Sequence, residues 1–191
     1  WLNLAIQFWT SRGWAVVDVN YGGSTGFGRE YRDRIKNNWG KVDIYDCILA
    51  VESLIDSGKV DPNKIAIEGG SAGGFTTLAC LCHSDIFKVA SCRYPVSDLN
   101  LMLKQTHRFE AGYLNYLLGK SQENEKLYID RSPINNLKNI HCPIIFFQGL
   151  KDKVVDPYQT EKIYSLLKKT NKDVELFTFA DEGHGFKTES V

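Results

Sequence analysis

The chain has 191 residues, 43% of them hydrophobic and 24% charged, and its 23 Lys and Arg balance its 23 Asp and Glu to a formal net charge of zero. This is the composition of one folded domain with a sizeable core, and it excludes a disordered chain. The basic excess typical of nucleic-acid binding is absent and no apolar run reaches membrane-spanning length, so neither nucleic acid nor membrane is an expected partner.

The chain opens on Trp1, with no basic segment leading into an apolar core, so no secretory leader is read. A fragment or processed product of a cytoplasmic protein is expected. Residues 2–12 read as a helix closed by Gly13, and 15–20 (AVVDVN) as a strand. A Gly-rich loop covers 21–28. Residues 42–57 read as a helix, with Ile44, Ile48, Val51 and Ile55 on one face and Gly58 as its stop. Asp61-Pro62-Asn63 is a turn. Residues 64–68 (KIAIE) form a strand that runs into Gly69-Gly70-Ser71-Ala72-Gly73-Gly74, and a helix continues over 75–82. Residues 89–93 are the next strand, and 99–130 a helical excursion over the sheet. A strand at 143–148 (PIIFFQ), a helix at 157–169 and a strand at 174–179 (VELFTF) complete the order. Alternating strands and helices imply a parallel sheet with right-handed crossovers and helices on both faces. No repeat, linker or second domain is read: 1–191 is one partial α/β domain.

A Ser hydroxyl needs a neighbouring base, the base needs an orienting acid, and the hydroxyl must be held where a carbonyl can reach it. Gly-x-Ser-x-Gly between a strand and a helix does this on a sharp, strained turn, and Gly69–Gly73 fit it. Gly22-Gly23-Ser24-Thr25-Gly26 matches as well, but it runs on into more loop, whereas an apolar helix follows Ser71. Chain order also favours Ser71 as nucleophile: the acid Asp152 and the base His184 each follow a later strand. Asp156 stands before Pro157 as a helix N-cap, and Asp181 shapes a loop. The backbone N–H of Ala72 is the expected oxyanion donor. Phe75, Tyr94 and Val96 are candidate pocket residues, with a core role the competing reading, because open α/β sheets bind ligands beyond the carboxyl ends of their strands. His83, His107 and His141 read as structural or surface groups. Five cysteines form no secreted framework, and reduced, buried thiols are expected. Cys80 and Cys82, two apart on a helix, point to different faces, so no metal site is read and no cofactor is required.

These motifs together resemble the prolyl oligopeptidase family of serine peptidases, particularly its acylaminoacyl-peptidase and dipeptidyl-aminopeptidase-like branches. The resemblance rests on 20–29 (NYGGSTGFGR), 39–43 (WGKVD), 69–74 (GGSAGG), 132–134 (SPI), 148–155 (QGLKDKVV) and 182–186 (EGHGF). It implies an α/β-hydrolase fold and acyl transfer through Ser71, His184 and Asp152 on short peptide substrates. It also implies a β-propeller domain upstream; homo-oligomerisation is left open. Such proteins carry a His-Gly-Gly-Pro-like loop after the third strand that supplies a second oxyanion donor. It is not in this sequence, which begins inside what resembles the helix after that loop and looks trimmed at its C-terminal end. The strand lying between 15–20 and 64–68 in that fold is missing too. The expected outcomes are direct pairing of those two strands, a borrowed strand, or a leading segment left displaced. An esterase or lipase with the same machinery, or a non-catalytic fragment, are the alternative readings.

Overall fold

The computed structural model describes residues 2–105, 108–170 and 173–187. Strands β1 (Ala66–Gly70), β2 (Val89–Arg93), β3 (Ile144–Gly149) and β4 (Val174–Phe179) form one parallel sheet in the order β1-β2-β3-β4. Around it lie helices α1 (Leu4–Thr10), α2 (Gly28–Asp33), α3 (Val42–Asp56), α4 (Ala72–His83), α5 (Leu99–Gln105), α6 (Arg108–Leu118), α7 (Glu125–Arg131) and α8 (Pro157–Thr170). The helical excursion expected over 99–130 is α5, α6 and α7.

Alternation along the strands decides which sheet face is covered. Ala90 and Cys92 of β2, Ile144 and Phe146 of β3 and Val174 of β4 are buried in one cluster with Leu78 of α4 and Ile163 and Leu167 of α8. The opposite set is more open: Val89 is 40% and Phe177 50% exposed, and Phe147 stacks on Phe177 and Phe179. Within α4, residues Phe75 and Leu78 to Cys82 are buried almost completely, which makes it the central helix of the core.

Register sets the functional geometry. Gly70 lies opposite Arg93, Arg93 opposite Phe147, and Gly149 opposite Phe179. The carboxyl ends of the strands are therefore level, and the segments after β1, β3 and β4 emerge along one rim of the sheet.

One expected strand does not form. Residues 14–20 have no ladder partner among the described residues, and Val16 and Val17 are 39% and 48% exposed. Among the described residues β1 pairs only with β2 and is an edge strand. An apolar, β-branched run becomes a strand only when a neighbour takes its backbone groups, and among the described residues no strand pairs with 14–20. Direct pairing of 15–20 with β1 does not form, and the leading segment is not displaced as expected either: the Gly22 N–H donates to Asp46 Oδ2 at 2.7 Å and the Tyr31 hydroxyl to Asn20 O at 2.7 Å.

Candidate active site

Ser71 occupies a one-residue turn between β1 and α4. Its φ of 56° and ψ of −120° lie in territory that costs a non-Gly residue about 1–3 kcal/mol. The turn is held from both sides: the Ser71 N–H donates to Arg93 O at 3.0 Å, and Ser71 O accepts from the Phe75 N–H at 3.0 Å. Its tightness dictates the neighbours. A Cβ on Gly69 would lie 2.2 Å from Gly73 O, and one on Gly74 would lie 2.7 Å from Pro95 Cβ. α4 begins at Ala72, earlier than the sequence suggested, so Ser71 stands at the N-cap of that helix.

Asp152 lies three residues beyond β3. Its side chain is fully buried, and Oδ1 accepts from the N–H groups of Val154 at 2.8 Å and Val155 at 3.0 Å. This closed turn aims Oδ2 at His184 Nδ1, 2.8 Å away, while His184 Nε2 is 3.0 Å from Ser71 Oγ. A carboxylate only accepts, so Nδ1 carries the proton and Nε2 is left to accept from the Ser71 hydroxyl. The imidazole keeps 24% of its surface open to solvent.

The loop after β4 is tied to the loop after β3. Lys151 N–H donates to Glu182 O at 2.8 Å, and the buried Glu182 accepts the Lys187 N–H at 3.0 Å. A Cβ on Gly149 would meet Glu182 O at 2.5 Å, so the two loops touch backbone to backbone. This part for Glu182 was not read from the sequence; its only signal was the run Glu-Gly-His-Gly after a strand.

The rival residues stand elsewhere. Asp156 accepts the Tyr158 N–H at 2.9 Å as the N-cap of α8, and Asp181 pairs with Lys151 at 2.6 Å. Ser24 sits in a turn whose N–H bonds Tyr21 O at 2.9 Å. Of the three candidate pocket residues, Phe75 and Val96 are 0% and 1% exposed. Phe75 packs on the Trp39 ring at 4.3 Å, because α4 turns that position toward α3 and the core. Tyr94 is half-buried and its ring lies 4.5 Å from that of His184.

His83 Nδ1 lies 2.8 Å from Ala79 O, a contact with its own helix. His141 lines a cavity of about 430 Å³, with Leu81, Phe87 and Cys142, at the amino ends of the strands. His107 is outside the described residues. The cysteines are thiols rather than disulfides, and Cys80 and Cys82 reach different carbonyls, those of Ile44 and Pro133. Burial pushes the Cys82 thiol up to about 12. Among the described residues there is no group of three or more His, Cys, Asp or Glu that could hold a metal ion.

A parallel sheet with a strained Ser between strand and helix, and a carboxylate and a histidine on later loops of the same rim, defines an α/β-hydrolase. The family profile described as the prolyl oligopeptidase family matches residues 1–191. Dipeptidyl aminopeptidase BIII of Pseudoxanthomonas mexicana is 31% identical over 186 residues, which are 94% of this chain and 27% of that protein. The acylamino-acid-releasing enzyme of Arabidopsis thaliana is 30% identical, over 94% of this chain and 24% of its own length. The structure of a puromycin-hydrolyzing peptidase from Mycobacterium tuberculosis superposes with a TM-score of 0.94 at 45% identity, over 97% of this chain and 28% of the other. The chain belongs to the prolyl oligopeptidase family, and it spans about a quarter of the length of these relatives.

Proposed function

We propose that the protein is a serine peptidase that cleaves an amide bond near the amino terminus of short peptides. The observation that carries this is the chain of contacts from Ser71 Oγ to His184 Nε2 at 3.0 Å and from His184 Nδ1 to Asp152 Oδ2 at 2.8 Å. His184 takes the hydroxyl proton as Ser71 Oγ attacks the scissile carbonyl, and the Ala72 N–H donates to the developing oxyanion. The protonated His184 then gives its proton to the leaving amine, which departs as the C–N bond breaks. Water, activated by the same imidazole, hydrolyses the acyl-Ser71 ester and restores the hydroxyl.

The family suggests peptide substrates, and the 45% identity to a puromycin-hydrolyzing peptidase favours a second substrate: an amino acid joined by an amide bond to an aminonucleoside. Both use the same chemistry and differ only in the leaving amine. Turnover of an aminoacyl p-nitroanilide, of puromycin and of a p-nitrophenyl ester separates them. Amide hydrolysis that exceeds the ester rate relative to the uncatalysed reactions supports a peptidase. Ester hydrolysis alone would make the protein an esterase.

Full activity is proposed for a chain of the relatives' length. The family's second oxyanion donor comes from a loop this sequence does not contain, and losing one such donor costs about 10²–10³ in kcat. Equal turnover by the 191-residue chain and by the protein expressed from its complete coding region would contradict this.

A further inference from the structure

A bulky residue following a strand ordinarily stays extended, but Tyr94, next after β2, has a φ of 37°. The reversal is anchored, since the Tyr94 N–H donates to Phe147 O at 2.8 Å. It brings the ring back over the rim of the sheet. A Cβ placed on Gly70 would be 3.2 Å from Tyr94 Cε2, so the residue before Ser71 leaves room for this ring and little more. On its other side the ring meets the His184 imidazole, with centroids 4.5 Å apart and planes tilted by 53°. Phe186 closes behind, edge-on to Tyr94 at 5.4 Å and against Phe179 at 5.0 Å.

The bond at Nε2 is given up when Ser71 Oγ bonds to the carbonyl, which leaves the imidazole held by Asp152 alone and able to swing about Cα–Cβ and Cβ–Cγ. A ring packed against it removes that freedom. The same ring carries a negative π-face, and the imidazole becomes a cation when it takes the Ser71 proton. Packing alone could be supplied by any apolar side chain; attraction to the cation needs an aromatic one.

We propose that Tyr94 is a positioning residue that holds the imidazole of His184 in line between Ser71 and Asp152 and favours its charged form, a role that rests on the reading of His184 as the base. Its left-handed backbone is the device that aims the ring. No bond is made or broken by Tyr94; the proton passes from Ser71 Oγ to His184 Nε2 and onward.

The test compares Tyr94→Leu, Tyr94→Met and Tyr94→Phe in the protein expressed from its complete coding region. The readouts are kcat and KM on an aminoacyl p-nitroanilide, the rate of Ser71 labelling by a fluorophosphonate, and the thermal midpoint. Leu and Met are expected to lower kcat and the labelling rate about 10-fold with KM unchanged, and Phe to restore both to within about twofold at a similar midpoint. Equal kcat for Leu and Phe, or a loss confined to KM, would overturn the proposal. If Leu fails to fold, Met alone against Phe decides in the same way. His184→Gln separates the two readings: labelling that survives it removes His184 as the base. Labelling lost in His184→Gln but unchanged in Tyr94→Met removes only the role of Tyr94.

Discussion

Gly22-Gly23-Ser24-Thr25-Gly26 and Gly69-Gly70-Ser71-Ala72-Gly73 share a pattern, and each follows an apolar run. Their structures diverge at once. Ahead of Ser24 the run at 14–20 joins no ladder among the described residues and is mostly exposed, and after it come turns before α2. Ahead of Ser71 lies β1, paired with β2, and α4 starts at the next residue. The glycines serve different neighbours. A Cβ on Gly23, at φ 124°, would meet the Ile35 side chain at 2.6 Å, whereas one on Gly69 would meet the Gly73 carbonyl oxygen at 2.2 Å. In one case small residues let a loop lie on a helix-turn side chain; in the other they let a strand reverse into a helix. The pentapeptide reports only that something comes close. The paired strand and the helix decide whether a hydroxyl is presented.

Substitutions at matched positions break this comparison if it is wrong. The largest expected effect is Ser71→Ala, a loss of kcat on the order of a millionfold, against a change within about twofold for Ser24→Ala in the same assay. Next is the acid. Asp152→Asn should reduce kcat by about 10⁴ by upsetting the tautomer of His184, while Asp156→Asn and Asp181→Asn leave kcat in place. Asp156→Ala is expected to cost about 1 kcal/mol in denaturant unfolding, through the lost cap of α8.

Gly69→Ala forces a methyl into backbone, and an unfolding free energy lowered by about 3 kcal/mol or more is expected. Gly23→Ala is also strained, but the folded protein should keep its labelling rate at Ser71. A Gly69→Ala variant of native stability would show that the turn at Ser71 is looser than the contacts describe.

The smallest effect concerns Asp43, which ties the segment before α3 to α4. Its Oδ1 accepts from the Gly40 N–H at 2.7 Å and its Oδ2 from the Thr76 hydroxyl at 2.9 Å. Burial raises its pKa above the ordinary carboxylate value, outweighing these hydrogen bonds. The folded state therefore binds the proton more tightly than the unfolded one, and this contribution to stability is lost as pH rises from the ordinary value through the raised one. Asp43→Asn should flatten that part of the stability profile, with an overall change of about 1 kcal/mol. A profile unchanged by the substitution would remove Asp43 from it.

Much of this was legible in the sequence where a local pattern had one physical solution. The strands at 89–93 and 174–179 match β2 and β4, since an apolar run flanked by helices has a sheet to join. Asp156 before Pro157 read as a cap and is one. The run at 15–20 misled because a strand is a relation to a neighbour, and the pattern carries no record of whether the neighbour is there. Phe75 read equally as core or pocket, and only the packing of α4 on Trp39 decides where its ring goes. The direction of Tyr94 was not legible at all, because nothing in the run Arg-Tyr-Pro marks a bulky residue for a positive φ.

The most direct test is where a fluorophosphonate lands on the protein expressed from its complete coding region, read by mapping the modified peptide. One adduct is expected, on Ser71, lost in both Ser71→Ala and His184→Gln and untouched by Ser24→Ala. An adduct on Ser24, or labelling that persists in Ser71→Ala, would contradict that expectation.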